Sequence, residues 1–154
     1  MKNTAIIIPS RLGAERFPNK PLAKINNVPM IIHVLNRAKE SKVGNVYVAT
    51  PDYEIFKIIS ENGDNAILTK KDHLSGSDRI HEAYIKEIKN NVDLIINLQG
   101  DMPNIKPSSI LKLENFMRNN KCDIGTLAST IAEKKEIIDP NVVKVITYEK
   151  LKNK

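Results

Sequence analysis

Three positively charged side chains, Arg11, Arg16 and Lys20, lie close together directly after a short apolar run. Arginine and lysine bind phosphate oxygens through charge-assisted hydrogen bonds, and they stabilise negative charge on a leaving group. The same loop contains one glycine and two prolines, which restrict its backbone. The alternative is a solvated surface loop with scattered cations. The position after an apolar run favours a site for a polyanion, most simply a nucleoside triphosphate that releases pyrophosphate.

A second candidate is Gln99-Gly100-Asp101, which follows the apolar run Leu94–Leu98. Gly100 would let the backbone approach a ligand closely. Asp101 could hold Mg²⁺, which proteins bind through one or two carboxylates together with substrate phosphates. The alternative is an aspartate that stabilises a turn before Pro103. Spacing alone does not separate the two interpretations.

A third candidate is the segment Ser75-Gly76-Ser77-Asp78-Arg79, which precedes a helical pattern. The first N–H groups of a helix have no partner within the helix, so such a turn can bind a base or a phosphate. The alternative is an ordinary N-capping box, with Ser77 or Asp78 as the cap and Glu82 following. Taken by itself, the segment favours that structural interpretation.

Strand-like and helical patterns alternate along the chain. Short apolar runs predict six strands: Ala5–Ile8, Val46–Ala49, Ala66–Leu68, Leu94–Leu98, Gly125–Ser129 and Val142–Ile146. Apolar residues at helical spacing predict four helices between them, around residues 30–38, 55–62, 80–88 and 110–117. The alternation predicts an α/β fold, a mostly parallel open sheet with helices on both faces, in one nucleotide-binding domain over residues 1–154. Such sheets bind ligands at the carboxyl ends of their strands.

Composition excludes several other classes of protein. The net charge is +6, but the lysines are spread along the chain, and aromatic residues are 5% with no tryptophan. This argues against a nucleic-acid-binding surface, which would need a basic patch or stacking aromatics. No apolar stretch is long enough to span a bilayer, so no membrane association is expected. Cys122 is the only cysteine, which is typical of a protein of the reducing cytoplasm.

Seven short motifs occur in order along the chain, at residues 7–11, 16–22, 29–31, 48–50, 75–79, 99–101 and 141–145. Taken together, they resemble the 3-deoxy-manno-octulosonate cytidylyltransferase family, also called the CMP-Kdo synthetases. The CMP-sialic acid synthetases share the first loop but usually differ after its lysine, so they are the second choice.

The resemblance implies a Rossmann-like, glycosyltransferase-A-like nucleotide-diphospho-sugar transferase fold. It also implies a Mg²⁺-dependent reaction in which CTP and the sugar acid 3-deoxy-manno-octulosonate (Kdo) give CMP-Kdo and pyrophosphate. The product would serve lipopolysaccharide synthesis, a branch of nucleotide-sugar biosynthesis, in the cytoplasm. Members of the family are homodimers.

The resemblance also implies roles for individual residues. Arg11, Lys20 and Asp101 are the expected catalytic residues, and Asp101 is the expected magnesium ligand. The expected nucleotide-binding residues are Arg11, Arg16, Lys20, Ser75, Gly76, Arg79 and Gln99.

The sequence departs from the family pattern in three respects. Met102 stands where the family usually has a glutamate, so a charge beside the expected metal site is lost. Ala14 and Glu15 stand where the family usually has a Ser-Thr pair, which places a negative charge near the triphosphate. The family is also longer, and this chain corresponds to a little over its first half. The absent part would supply the rest of the sugar site, the main dimer contacts and a second metal-binding aspartate. An alternative function is therefore a truncated, inactive relative that at most binds nucleotide.

Overall fold

The computed structural model describes residues 3–13, 17–89 and 92–146. Its strands are β1 (Thr4–Pro9), β2 (Lys24–Ile25), β3 (Val28–Pro29), β4 (Asn45–Thr50), β5 (Asn65–Leu68) and β6 (Leu94–Asn97). Four of them form one parallel sheet in the order β5-β4-β1-β6, and β2 and β3 form a separate antiparallel hairpin. This sheet confirms the predicted α/β class with parallel strands.

The five helices are α1 (Met30–Glu40), α2 (Tyr53–Glu61), α3 (Gly76–Ala83), α4 (Pro107–Asn119) and α5 (Lys134–Ile138) in the described residues. The first four cover both faces of the sheet, as predicted, whereas α5 has no buried residue. A 3₁₀ turn covers Lys20–Leu22, and a π-helical turn at Tyr84–Ile88 continues α3. No helix in the described ranges is both long and apolar enough to cross a membrane.

The central strand β1 lies between β4 and β6, and helices bury both of its faces. Ile6 and Ile8 pack with α1, α2 and α4 on one face, whereas Ala5 and Ile7 pack with α3 on the other. Continuous apolar runs are typical of parallel strands that helices cover on both sides. The carboxyl ends of β1 and β6 therefore lie next to each other at one edge of the sheet.

Two predicted strands are wrong. Neither Gly125–Ser129 nor Val142–Ile146 forms a strand in the structure. A strand needs a hydrogen-bonding neighbour as well as an apolar sequence, and β6 is the last strand on this side of the described sheet. Three β-branched residues of the second segment, Val143, Val145 and Ile146, are exposed instead, with Val143 at 92%.

The sequence analysis also missed several short elements. The hairpin β2–β3 turns at Asn26 and Asn27, which both have positive φ. Two such residues form a type I′ turn, for which asparagine is well suited. The hairpin leads into α1, so it fixes where that helix begins. The 3₁₀ turn at Lys20–Leu22 and the five-residue α5 were also not predicted.

Candidate functional site

A small cavity lies where the carboxyl ends of β1 and β6 meet the beginning of α3. Its volume is about 210 Å³. Five of its lining residues, drawn from three separate motifs, are among the predicted nucleotide-binding residues. The full lining is Pro9, Ser10, Arg11, His73, Leu74, Ser75, Gly76, Arg79 and Gln99. The fold thus brings together the basic loop at Arg11, the segment that begins at Gln99 and the segment Ser75–Arg79.

The loop after β1 is held in place from the neighbouring strand. Ser10 N donates a hydrogen bond of 2.9 Å to Ala49 O, which extends the β1–β4 pairing by one residue. Leu12 N donates to Asp52 Oδ2 at 2.8 Å. Arg11 therefore lies between two backbone anchors. Sequence reasoning missed Asp52; its signal is a polar residue just beyond the carboxyl end of the buried strand β4.

The first turn of α3 is closed by a capping box. Ser75 Oγ accepts a hydrogen bond from Asp78 N at 3.1 Å, and Ser75 N donates to Asp78 Oδ2 at 3.1 Å. The N-cap is therefore Ser75, and the prediction of Ser77 or Asp78 was wrong. The reason is geometric, because Ser75 has the extended backbone that an N-cap needs, whereas the other two lie inside the helix. The hydrogen bond from the Ser75 side chain holds the pKa of Asp78 below its usual value.

Gly76 brings this capped turn close to the end of β1. A Cβ atom at Gly76 would lie 3.3 Å from Pro9 Cγ, which is a tight contact. A small residue at this position lets the helix begin directly against the strand end. The free N–H groups of the first turn therefore lie beside the cavity, where they can bind an anion or a polar base edge.

Arg79 is buried behind the cavity rather than exposed within it. Its residue is 2% exposed, and Nη1 donates to Thr69 Oγ1 at 2.5 Å and to Lys70 O at 2.9 Å. Burial lowers the pKa of Arg79, and the positive charge of Arg11 lowers it further. The two guanidinium groups thus concentrate positive charge on this side of the site.

Glu82, one turn further along α3, holds the same loop from a second point. Its carboxylate accepts from Lys70 N at 2.9 Å, pairs with Lys86 Nζ at 2.6 Å and is hydrogen-bonded to His73 Nε2. Burial alone would raise the pKa of Glu82, but the hydrogen bonds from Lys86, His73 and Lys70 N lower it to about 2. We call residues 69–82, which Arg79 and Glu82 hold together, the α3 wall. Sequence reasoning did not identify the Glu82–His73 contact, because no spacing rule connects them.

Lys20 and Asp101 are not among the residues that line the cavity, and they bind each other on the side of the site that Gln99 leads into. Lys20 Nζ is 2.8 Å from Asp101 Oδ2, and both side chains are partly exposed. The turn that carries Asp101 packs closely against β1, since a Cβ atom at Gly100 would lie 3.0 Å from Pro9 O. Two predicted residues separated by 80 intervening positions therefore meet beside the cavity. Arg16 lies outside the described residues.

Asp101 has the chemistry of a magnesium ligand only in combination with a substrate. The described residues contain no cluster of three or more histidine, cysteine or acidic side chains that could hold a metal ion. One carboxylate together with nucleotide phosphates is, however, a common set of ligands for Mg²⁺. Asp101 thus fits that ion as one ligand of a site that the nucleotide completes.

A profile of the protein family described as cytidylyltransferase matches residues 5–154. The chain belongs to this family. A curated relative from Brucella ovis, named 3-deoxy-manno-octulosonate cytidylyltransferase, is 45% identical over 144 residues. That match covers 93% of this chain but only 57% of the relative. The chain thus corresponds to the N-terminal part of the family and spans just over half the length of its curated relatives.

Two solved structures support the same assignment. A structure described as CMP:2-keto-3-deoxy-manno-octonic acid synthetase complexed with CTP matches with a TM-score of 0.73 and 40% identity. It covers 77% of this chain and 48% of the solved chain. A cytidylyltransferase from Leptospira borgpetersenii matches with a TM-score of 0.68 and 25% identity, covering 79% of this chain and 51% of that one.

Proposed function

We propose that this chain forms the nucleotide-binding part of a cytidylyltransferase that transfers CMP from CTP to the sugar acid Kdo and releases pyrophosphate. The observation that carries the proposal is the cavity at the ends of β1 and β6, where Arg11, Gln99 and the capped beginning of α3 converge. The names of the curated relative and of the CTP complex support this choice of nucleotide and sugar acid. By the same likeness we assign the protein to lipopolysaccharide synthesis in the cytoplasm and to a homodimer.

In this proposal the α3 wall binds the nucleoside. The capping box occupies the Ser75 N–H, so the N–H groups left free in the first turn of α3, that of Gly76 first, face the base or ribose. The Ser75 side of the turn lines the cavity, and Gln99 contributes an amide from the other side. Arg79 contributes mainly by holding Thr69 and Lys70, and its charge adds to that of Arg11. The cavity of about 210 Å³ is smaller than most ligand pockets, which suits a site that holds one part of a larger ligand.

Arg11 and Lys20, together with Arg16 by family resemblance, neutralise the triphosphate. Lys20 is held near the site by Asp101 through an exposed ion pair, and such pairs contribute only about 0–1 kcal/mol. Phosphate oxygens can therefore take Lys20 away from Asp101 at little cost. The cations then stabilise the negative charge that develops on the pyrophosphate leaving group, while the bound geometry aligns the sugar hydroxyl with the α-phosphorus.

Asp101 is the residue that would hold Mg²⁺. When bound, this ion would neutralise part of the charge on the triphosphate. Separation from Lys20 leaves the Asp101 carboxylate free for that purpose. The next residue, Met102, offers no second carboxylate. The nucleotide would therefore have to supply further ligands to the ion.

Two alternatives remain as candidate functions. The first is nucleotide binding without turnover, which is favoured by Met102 in place of the family's glutamate. The second is transfer of CMP to a sialic acid. Isothermal titration with CTP, followed by a pyrophosphate-release assay with CTP, Mg²⁺ and either sugar acid, separates these alternatives.

Turnover with Kdo above the rate without sugar is the expected result. Binding of CTP with no release of pyrophosphate would establish the inactive relative. A faster rate with sialic acid than with Kdo would transfer the assignment to the second family. No binding of CTP at millimolar concentration would contradict the proposed site altogether.

A further inference from the structure

Ser10 is the first residue after β1, and it is buried where that strand reaches the candidate site. The residue is 6% exposed and lines the cavity of about 210 Å³. Its backbone N–H is used in the bond to Ala49 O. Its hydroxyl oxygen, Oγ, is buried and has no hydrogen-bond partner among the described residues. Sequence reasoning did not identify Ser10 as a site residue.

The other buried serine and threonine side chains of the described residues all have a partner. Buried polar groups in folded proteins are nearly always hydrogen-bonded, because an unpaired one costs free energy. Within the described ranges, Ser10 is therefore the exception, and it occurs at the cavity. The paired hydroxyls are those of Thr4 with Arg118, Ser41 with Ala38 O, Thr50 with Asp52 N, and Thr69 with Arg79.

The cavity around Ser10 offers both donors and acceptors to a ligand. Gly76 lies in the first turn of α3, where N–H groups have no partner within the helix. Gln99 Nε2 donates to Asn97 Oδ1 at 3.2 Å, which leaves the amide oxygen of Gln99 as an acceptor. A hydroxyl can donate one hydrogen bond and accept others. The cavity thus matches an uncharged part of a ligand that carries donors and acceptors side by side.

We propose that Ser10 is a nucleoside-binding residue, whose hydroxyl bonds to a polar atom of the base or ribose. The choice of a cytidine nucleotide as the ligand rests on the proposed function. A buried, neutral hydroxyl fits the nucleoside better than the phosphates. Mg²⁺ keeps several waters when it binds nucleotide phosphates, so these belong on the more open side with Lys20 and Asp101. Neither of those residues lines the cavity.

A hydroxyl with this role and a hydroxyl that supports the fold should respond to removal in opposite ways. In the free protein Ser10 Oγ bonds to no described protein group, so its loss should not destabilise the fold. In the complex the same loss removes a hydrogen bond to the ligand. A structural hydroxyl loses its protein partner instead, so its removal lowers stability and leaves ligand affinity unchanged.

Ser10→Ala and Ser41→Ala form a matched pair that tests this difference. Ser41 is similarly buried (7%), but its hydroxyl bonds to Ala38 O, and it does not line the cavity. Thermal denaturation without ligand should place the Tm of Ser10→Ala within about 1 °C of wild type or above it. Ser41→Ala should lower the Tm by about 2–4 °C, as expected for the loss of one buried hydrogen bond.

Titration calorimetry with CTP, CMP and pyrophosphate identifies the part of the ligand that Ser10 contacts. Ser10→Ala should weaken CTP and CMP by the same factor, about tenfold, because both contain the nucleoside. It should leave the affinity for pyrophosphate within about twofold. Ser41→Ala should leave all three affinities unchanged. Ser10→Cys fills the space but offers only a weak donor, so it should weaken CTP as Ser10→Ala does.

Three results would overturn the proposal. CTP affinity that is unchanged in both Ser10 variants would remove the hydroxyl from the site. A loss of affinity for pyrophosphate equal to that for CMP would assign the hydroxyl to the phosphates. A fall in Tm for Ser10→Ala as large as that for Ser41→Ala would make the hydroxyl structural.

Failure of the wild-type chain to bind CTP is a different outcome. It would contradict the proposed function itself and, with it, the nucleoside as the occupant of the cavity. Circular dichroism checks that each variant folds. If Ser10→Ala does not fold, the CTP, CMP and pyrophosphate affinities of Ser10→Cys decide the question.

Discussion

The two sides of the candidate site differ in how they are held. The α3 wall is fixed by the hydrogen bonds that the buried Arg79 donates, by the bond that the Glu82 carboxylate accepts from Lys70 N, and by a complete capping box. The opposite side depends on one partly exposed ion pair between Lys20 and Asp101. The α3 wall is therefore formed before any ligand binds, whereas the Lys20–Asp101 side can rearrange. In the proposed function the first would face the nucleoside and the second the phosphates.

Typical energies support this division. Hydrogen bonds to charged groups contribute about 1.5–3 kcal/mol, and removal of one buried partner adds the cost of leaving the other unsatisfied. Exposed ion pairs contribute about 0–1 kcal/mol. Variants of the wall should therefore reduce stability, whereas variants of the ion pair should leave stability nearly unchanged.

The largest effect is expected for Arg79→Met. Methionine fills part of the space, but Thr69 Oγ1 and Lys70 O lose their buried donor, so the free energy of unfolding should fall by about 3 kcal/mol. Urea denaturation measures this change. Arg37→Met is the matched control, because Arg37 lies on the exposed surface of α1 in an ion pair with Glu40. Equal losses of unfolding free energy for the two variants would show that the hydrogen bonds of Arg79 contribute no more to stability than an exposed ion pair does.

Glu82→Gln should cost about 1–2 kcal/mol at neutral pH, because the amide cannot accept the same charge-assisted contacts. The cost depends on pH. The pKa of Glu82 is lowered from its ordinary 4.5 to about 2 in the folded chain, so its stabilisation is complete above pH 4.5 and is lost as the pH falls through 2.

Urea denaturation at a series of pH values should therefore show the gap between wild type and Glu82→Gln narrowing below pH 4.5. Glu61→Gln is the control, since Glu61 forms only an exposed ion pair with Lys57. A gap that stays constant down to pH 2 would contradict the assigned role of the Glu82 carboxylate.

Ser75→Ala should lower the free energy of unfolding by about 1 kcal/mol, the usual cost of removing an N-cap. Ser77→Ala provides a sharp control, because Ser77 lies two residues away inside the first turn and its side chain caps nothing in the described contacts. Thermal denaturation of both variants measures the difference. A larger loss of unfolding free energy for Ser77→Ala than for Ser75→Ala would instead support Ser77 as the N-cap, as the sequence predicted.

Lys20→Ala should have the smallest effect on stability, within about 0.5 kcal/mol, because its ion pair is exposed. If the proposed function is correct, it should nevertheless weaken CTP binding by about tenfold, which corresponds to one lost charged contact. Titration calorimetry compares it with Lys134→Ala, a change at the beginning of α5. Equal CTP affinities for the two variants would remove Lys20 from the proposed phosphate site.

The sequence was sufficient to predict the four strands of the described sheet, although it also predicted two that do not form. Each of the four has an apolar run that is visible without a structure; the runs of β1 and β4 are largely buried, whereas those of β5 and β6 are partly exposed. Arg11 and Gln99 follow two of these strands, so the parallel order alone brings them together. Arg16 and the roles of the site residues remain predictions.

Other features could not be read from the sequence, for identifiable reasons. Residues 73–78 contain several possible caps, and only the backbone conformation selects Ser75. The contact between His73 and Glu82 depends on how a loop folds back onto α3. The segments 125–129 and 142–146 have strand-like composition, but strand formation depends on a neighbour that the described sheet does not provide.

The π-helical turn Tyr84–Ile88 makes the contacts around it sensitive to the exact number of residues in this part of the chain. Lys89 N bonds to Tyr84 O, five residues back, at 2.9 Å, so the turn accommodates one residue more than an α-helix would. Lys86 lies within it and reaches both Glu82 and Leu68 O. Deletion of a single residue here would rotate everything that follows by about 100°. Relatives that differ by one residue at this point would therefore need other side chains to replace the contacts of Lys86 with Glu82 and with Leu68 O.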